Sequence, residues 1–128
     1  MRLYIAVLDQ FPDYMTPTLV AHTMLGAHLK FTSRLILPEF QANEFPAYVD
    51  WLENFFRKCV VRVNQAEFNK ISSLPHVYLG HENRTLDGRK SCAIPLPCVD
   101  DQLPNVLKFA KLWKPIGSPL LPGLTEDQ

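Results

Sequence analysis

Apolar residues along the chain follow two different periods, and the order of these periods predicts a layered α/β fold. Residues 3–8 form a short, continuous apolar run, which is typical of a strand covered on both faces. A loop over residues 9–14 follows, and residues 15–31 then show a helical period. We expect Thr16 to cap this first helix and Pro17 to occupy its first position. The predicted apolar stripe comprises Val20, Met24, Ala27 and Phe31, widened by Ala21, Leu25 and Leu29.

Three segments continue the pattern through the middle of the chain. Residues 35–42 predict an extended connector, because Pro38 weakens a regular strand there. Residues 46–58 place large apolar side chains at helical spacing, which predicts an amphipathic second helix. Its buried side is expected to contain Tyr48, Trp51, Leu52 and Phe55. Residues 59–64 then predict a second strand.

The next segments predict a short helix and a hairpin. Asn64, followed three residues later by Glu67, is a capping-box signature, so a third helix is expected to begin there. Residues 76–81 and 90–96 alternate between apolar and polar positions as strands do. The Asp87-Gly88 dipeptide between them favours a tight turn and an antiparallel pair.

The last segments complete the expected domain. A final helix is predicted over residues 102–112 from its apolar spacing, and residues 115–128 are expected to form an extended tail. Residues 1–114 are therefore expected to form a single α/β domain. The order of elements predicts a three-layer α/β/α fold, in which the first strands are parallel and the hairpin makes the sheet mixed.

Composition and charge narrow the class of protein. The 128 residues fit one domain with a sizeable core. Thirteen basic residues balance thirteen acidic ones, which excludes a globally basic binder of nucleic acid and leaves a local basic patch open. No apolar run approaches membrane-spanning length, so no membrane contact is expected, and the cytoplasm is the expected location.

The cysteines predict neither a metal site nor a disulfide framework. Cys59, Cys92 and Cys98 are odd in number and widely spaced, whereas zinc sites and disulfide-rich domains need paired cysteines. Reduced thiols in a cytosolic protein are therefore expected. Cys98 beside a histidine is the one nucleophilic arrangement that stays open. No metal ion or other cofactor is expected.

The first helix and the hairpin carry a resemblance to a known family. Residues 18–27 (TLVAHTMLGA) match the helix pattern GKxAAQxAHAALGA at VAH and at LGA. Residues 81–85 (HENRT) and 92–97 (CAIPLP) stand where a DAGxTxxxPGTxTVLAIGP hairpin falls. With this order of elements the chain resembles the type 2 peptidyl-tRNA hydrolases over most of residues 2–112. The resemblance implies a mixed four-stranded sheet with helices on both faces, and activity on peptidyl-tRNA.

The chain departs from that family at the polar positions of its motif. The functional lysine of the family falls on Met15, its glutamine on Leu19 and its aspartate on His81, while Thr85 retains the threonine. Lysine and aspartate are the groups that bind and polarise a peptidyl ester and its attacking water. The leading hypothesis is therefore a non-hydrolytic protein that binds a small ligand or a protein partner.

Two groups of residues are candidates for a site. Open α/β sheets bind ligands at the carboxyl ends of their strands, and the ligand-binding candidates beside the first strand are Asp9, Met15 and Thr18. The second group is the polar cluster His81, Glu82, Arg84 and Thr85, for which an ordinary polar hairpin loop is the alternative. Arg84, Arg89 and Lys90 are candidates for binding a phosphate, since arginine supplies a bidentate fork.

Two further hypotheses stay open at this stage. One is a divergent hydrolase of peptidyl-tRNA or another ester, with His22, His81 and Thr85 as its catalytic residues. A histidine packed between helix and sheet is the alternative role for His22. The other hypothesis is a homodimer or larger oligomer whose function lies in its interface. tRNA is a less favoured partner, because the net charge is zero.

Overall fold

Residues 1–32, 45–82 and 89–116, the part of the chain described in the computed structural model, form a five-stranded mixed sheet with helices on both faces. The strands are β1 (Leu3–Leu8), β2 (Lys58–Val63), β3 (Val77–Glu82), β4 (Arg89–Pro95) and β5 (Lys111–Leu112). The α-helices are α1 (Thr16–Thr32), α2 (Pro46–Asp50), α3 (Gln65–Ser72) and α4 (Asn105–Lys108). The expected α/β class and mixed sheet are confirmed, with one strand more than the four expected.

The strand order β3-β4-β1-β2-β5 brings several strand ends together. β1 and β2 are parallel, with Leu8 opposite Val63, as predicted. The other neighbouring pairs are antiparallel, and the predicted β3–β4 pairing is confirmed. β1, β2 and β3 therefore end on the side of the sheet where β4 begins. We call this side the carboxyl edge.

The helices divide the core into two layers. On one face, Leu3 and Ile5 of β1 lie in a buried cluster with Phe31 of α1 and Tyr48 of α2. On the opposite face, Leu8 belongs to a buried cluster that includes residues of α3 and α4. Alternate side chains of β1 point to opposite faces of the sheet, and both faces are covered. The strand therefore consists of a continuous apolar run. No helix in the described ranges is both long enough and apolar enough to cross a membrane.

The buried side of α1 differs from the predicted one. Ala27 and Phe31 are buried as expected, but Leu25 and Leu29 are 66% and 63% exposed. The reason is a close approach between α1 and β3: a Cβ atom at Gly80 would collide with the Thr23 side chain, and one at Gly26 with the Tyr78 ring. Small residues therefore face the sheet, and the two leucines are turned away from it.

The start of α1 also differs from the prediction. A 3₁₀ turn, Asp13–Met15, precedes the helix, and the backbone of Thr16 is already helical, with φ −57° and ψ −45°. Thr16 therefore does not have the extended backbone of an N-cap residue. Its side chain is buried instead.

The predicted second helix changes its hydrogen-bond period halfway along. α2 continues into a π-helical turn, Trp51–Phe55, in which the Phe56 N–H donates to the Trp51 carbonyl at 2.7 Å. One extra residue per turn rotates the following side chains. Tyr48 and Trp51 are buried as expected, whereas Phe55 is 46% exposed. The expectation that Phe55 belongs to the core is therefore wrong.

Proline changes the last predicted helix. Residues 102–112 were expected to be helical, but the structure has a 3₁₀ turn, Asp100–Gln102, then α4, then β5. Leu103 is extended, with ψ 127°, because a residue before proline avoids the helical region, and Pro104 caps α4. By contrast, the capping box of Asn64 and Glu67 is confirmed, with hydrogen bonds of 2.9 and 3.0 Å.

Some predicted features lie outside the described residues. These are the extended connector over residues 35–42, the turn at Asp87-Gly88, and most of the C-terminal tail, of which only residues 115–116 are described.

Candidate functional site

The candidate residues after β1 lie at the carboxyl edge in three different surroundings. Asp9 is exposed, and its backbone N–H donates to the Val63 carbonyl at 2.9 Å. Met15 is half-buried and packs against the core, while Thr18 is exposed on the first turn of α1. Met15 therefore contributes to core packing, whereas Asp9 and Thr18 are accessible to solvent.

The candidate residues of the hairpin are described only in part. His81 is exposed near the end of β3, and Glu82 ends that strand. Arg84 and Thr85 lie outside the described residues. His22 is exposed on α1, one residue before Thr23, which packs on Gly80 of β3. This contact places the backbones of His22 and His81 at the same level of the α1–β3 interface.

A cavity of about 510 Å³ opens at the carboxyl edge, on the sheet face covered by α3. This volume lies within the usual range for small-ligand sites, roughly 300–1,000 Å³. We call it the edge cavity. The residues that line it are Leu8, Gln10, Phe11, Gln65, Phe68, Asn69, Ser72, Ser73, Arg89 and Lys90.

Three separate chain segments build the edge cavity. The loop after β1 supplies Gln10 and Phe11, which lie within the predicted loop over residues 9–14. α3 supplies one polar stripe, because Gln65, Asn69 and Ser72 are spaced four and three residues apart on a helix that the capping box begins. β4 begins at the carboxyl edge and supplies Arg89 and Lys90. The apolar floor comes from Leu8, Phe11 and Phe68, all three of which are buried.

Both cations of the edge cavity are uncompensated within the described part of the protein. The Arg89 guanidinium carbon lies 5.1 Å from the centre of the Phe11 ring, so the ring supports one face of the guanidinium. Neither Arg89 nor Lys90 forms an ion pair with a described side chain. The cavity lining therefore combines two basic residues with an apolar floor.

The loop that carries Gln10 and Phe11 is fixed in position at its C-terminal end, at Asp13. The Arg62 guanidinium donates to both carboxylate oxygens of Asp13 at 3.1 and 3.2 Å, and the Ile116 N–H donates to Asp13 at 2.7 Å. The Ile116 hydrogen bond, followed by the Arg62 hydrogen bond, keeps the pKa of the Asp13 carboxyl below its ordinary value. β2 and the chain after β5 thus position the loop beside the cavity.

A second cavity, of about 280 Å³, lies at the opposite edge of the sheet and brings His76 and Cys98 together in its lining. This is the cysteine–histidine arrangement that the sequence left open. Burial, with a contribution from Asp100, raises the pKa of the Cys98 thiol, so the thiol stays protonated at neutral pH. The second cavity therefore lacks an activated nucleophile.

Comparison with known proteins leaves the family of the chain open. No protein-family model matches the chain, and no curated protein matches it either. Within the described ranges no group of three or more histidine, cysteine, aspartate or glutamate side chains could hold a metal ion.

The sequence predicted the two basic residues of this cavity but not the amide and hydroxyl side chains of its wall. Arg89 and Lys90 were candidates for binding phosphate, whereas Gln65, Asn69 and Ser73 were not singled out. A signal was present: the exposed side of α3 carries amides and hydroxyls where a solvent-facing helix more often carries charges. The contact with Gln10, 55 residues away in sequence, has no local pattern.

Proposed function

We propose that the chain is a non-hydrolytic binding protein that holds a small anionic ligand in the edge cavity. The observation that carries this proposal is a concave site lined by two basic residues, Arg89 and Lys90, neither of which forms an ion pair with a side chain that the structure describes. A guanidinium supported on an aromatic ring keeps its N–H edge free for a bidentate contact with a phosphate or a carboxylate. Ligands also favour this position, outside the carboxyl ends of the strands.

The composition of the cavity lining supports binding rather than hydrolysis. No carboxylate, imidazole or thiol is present among the described side chains that line it. Hydrolysis of an ester needs a general base or a nucleophile within hydrogen-bond reach of the reacting atoms. His22 lies on α1, which packs on the other face of the sheet from the edge cavity, and so does not supply that base.

The three thiols support a reducing compartment. Cys59, Cys92 and Cys98 are all free, and burial raises the pKa of each thiol. Free, protonated thiols are typical of proteins in the cytoplasm. We therefore place the proposed binding protein there.

Thermal unfolding with added anions tests the proposal. Inorganic phosphate and citrate are titrated against sodium chloride at matched ionic strength, which removes general screening. A ligand at 100 times its dissociation constant stabilises the folded state by about 2.7 kcal/mol. We expect at least one of the two anions to raise Tm in the native chain, and Arg89→Gln and Lys90→Gln each to reduce that rise.

Lys70→Gln is the matched control, because it removes the same charge from an exposed position on α3 that does not line the edge cavity. It should leave the anion response unchanged. Equal responses of all variants, or no response of the native chain beyond that to sodium chloride, would overturn the proposal. Release of tRNA from peptidyl-tRNA by the purified chain, abolished by His81→Ala without unfolding, would instead support the hydrolase hypothesis.

A further inference from the structure

The wall of the edge cavity opposite the cations is a chain of hydrogen-bonded amides. The Gln10 side-chain N–H₂ donates to Gln65 Oε1 at 3.1 Å, and the Gln65 side-chain N–H₂ donates to Asn69 Oδ1 at 2.8 Å. These two bonds leave the Gln10 carbonyl oxygen as a free acceptor at one end and the Asn69 N–H₂ group as a donor at the other.

Two serine hydroxyls extend this wall, and each donates its proton in a hydrogen bond to a backbone carbonyl. Ser72 Oγ donates to the Phe68 carbonyl at 2.8 Å, and Ser73 Oγ donates to the Asn69 carbonyl at 2.9 Å. A serine hydroxyl has one proton and two lone pairs. In this arrangement each of these oxygens offers a lone pair to a ligand.

The wall as a whole is rich in acceptors, whereas the start of β4 is rich in positive charge. Gln10 Oε1, Ser72 Oγ and Ser73 Oγ accept, and a neutral ligand group that satisfies them must donate several hydrogen bonds. Hydroxyl groups do this, and they also accept the bond that Asn69 Nδ2 offers. The apolar floor of Leu8, Phe11 and Phe68 suits the C–H surface of a carbon skeleton that carries those hydroxyls.

We propose that the ligand of the edge cavity is a phosphorylated polyol or sugar, with its phosphate on Arg89 and Lys90 and its hydroxyls along the wall of α3 and Gln10. A phosphate monoester carries about two negative charges at neutral pH, which matches the two cations better than one carboxylate does. This inference deepens the proposed function and rests on it.

Calorimetric titration of the full chain tests the inference with pairs of ligands that differ only in their hydroxyls. Glycerol 3-phosphate is compared with n-propyl phosphate, and glucose 6-phosphate with (tetrahydropyran-2-yl)methyl phosphate, because each pair shares its skeleton and charge. Two or three hydrogen bonds correspond to a preference of about ten- to a hundredfold for the hydroxylated partner. The preference should appear in at least one pair.

Variants separate the two halves of the site. Ser73→Ala combined with Gln10→Leu should bring the preference close to one. Arg89→Gln should weaken both members of a pair by the same factor, about tenfold or more, and leave the preference intact. Thermal unfolding of each variant without ligand checks that it is folded.

The outcomes distinguish this inference from the proposed function. If hydroxylated and unhydroxylated phosphates bind equally well, the polyol inference is overturned and the anion site stands. If a preference exists but survives Ser73→Ala with Gln10→Leu, the wall does not cause it, and the inference is again wrong. If no phosphate binds while citrate does, the ligand is a carboxylate. If no anion binds at all, both proposals fail.

Discussion

Arg62 and Asp13, which are 49 residues apart in sequence, form a two-pronged ion pair between β2 and the loop before α1. Arg62 also donates to the Lys114 carbonyl at 2.6 Å and lies over the Trp113 ring, with its guanidinium carbon 5.0 Å from the ring centre. The Ile116 N–H completes the arrangement by donating to the same carboxylate. One ion pair thus joins the loop of the edge cavity, a parallel strand and the chain that follows β5.

Asp13→Asn is expected to lower stability at neutral pH and to make stability less dependent on pH under acid conditions. The hydrogen bonds from Ile116 and Arg62 lower the pKa of Asp13 in the folded state below 3.8, its ordinary value. A lowered carboxyl pKa contributes stability above the unfolded pKa, and this contribution is lost as pH falls through the folded pKa. Urea unfolding between pH 7 and pH 3 should show the two proteins converging below about pH 4.

Asp9→Asn is the control for that comparison, because it removes the same charge from an exposed position in the same loop. It should not reproduce the effect. A constant difference between the native chain and Asp13→Asn at every pH would show that the ion pair does not set the acid dependence.

Gly80→Ala is expected to destabilise the fold by about 1–3 kcal/mol, the usual cost of overpacking a core. A Cβ atom at this position would collide with the Thr23 side chain, and α1 would have to move away from β3. Chemical denaturation measures the loss. In a Thr23→Ala background the same substitution should cost clearly less, because the colliding hydroxyl and methyl groups are gone. Equal costs in the two backgrounds would rule out this contact as the cause.

Asn64→Ala is expected to cost about 1 kcal/mol of stability, as for other N-cap residues. Its side chain accepts a hydrogen bond from the Glu67 N–H at 2.9 Å at the start of α3. Because α3 carries the amide wall, the variant should also lower the preference for hydroxylated phosphates. Asn54→Ala, which removes an exposed bond to Asp50 of 2.6 Å, serves as the control and should change stability by less than about 0.5 kcal/mol.

The Tyr48 phenol is expected to ionise only at strongly alkaline pH. Its hydroxyl contacts His28 Nδ1 at 2.8 Å, and burial raises the pKa of this phenol to about 12. Since the unfolded chain releases this proton near pH 10, stability should fall as pH rises from about 10 to 12. Absorbance of phenolate during an alkaline titration measures the ionisation, and Tyr48→Phe should remove the step near pH 12. A Tyr48→Phe protein with an unchanged titration curve would contradict the assignment.

Local sequence patterns correctly predicted the elements that depend mainly on residues close together in the chain. The apolar run of β1 needs two covered faces, and its bounds, Leu3–Leu8, match the prediction. The capping box at Asn64 depends on hydrogen bonds between residues three apart, so it could be predicted from sequence alone. Pro104 was also a visible signal, but the apolar spacing around it suggested a continuous helix.

The sequence by itself determined the α/β class, the parallel first pair, the hairpin and the cations at the start of β4, because each depends on periodicity or on residues close in the chain. Only the tertiary structure decided which side of α1 is buried, since that depends on Gly80 and Tyr78 of a distant strand. It likewise decided that Gln10, Asn69 and Arg89 share one cavity. No local periodicity predicts that these residues lie close together, because their proximity depends on how the strands align at the carboxyl edge.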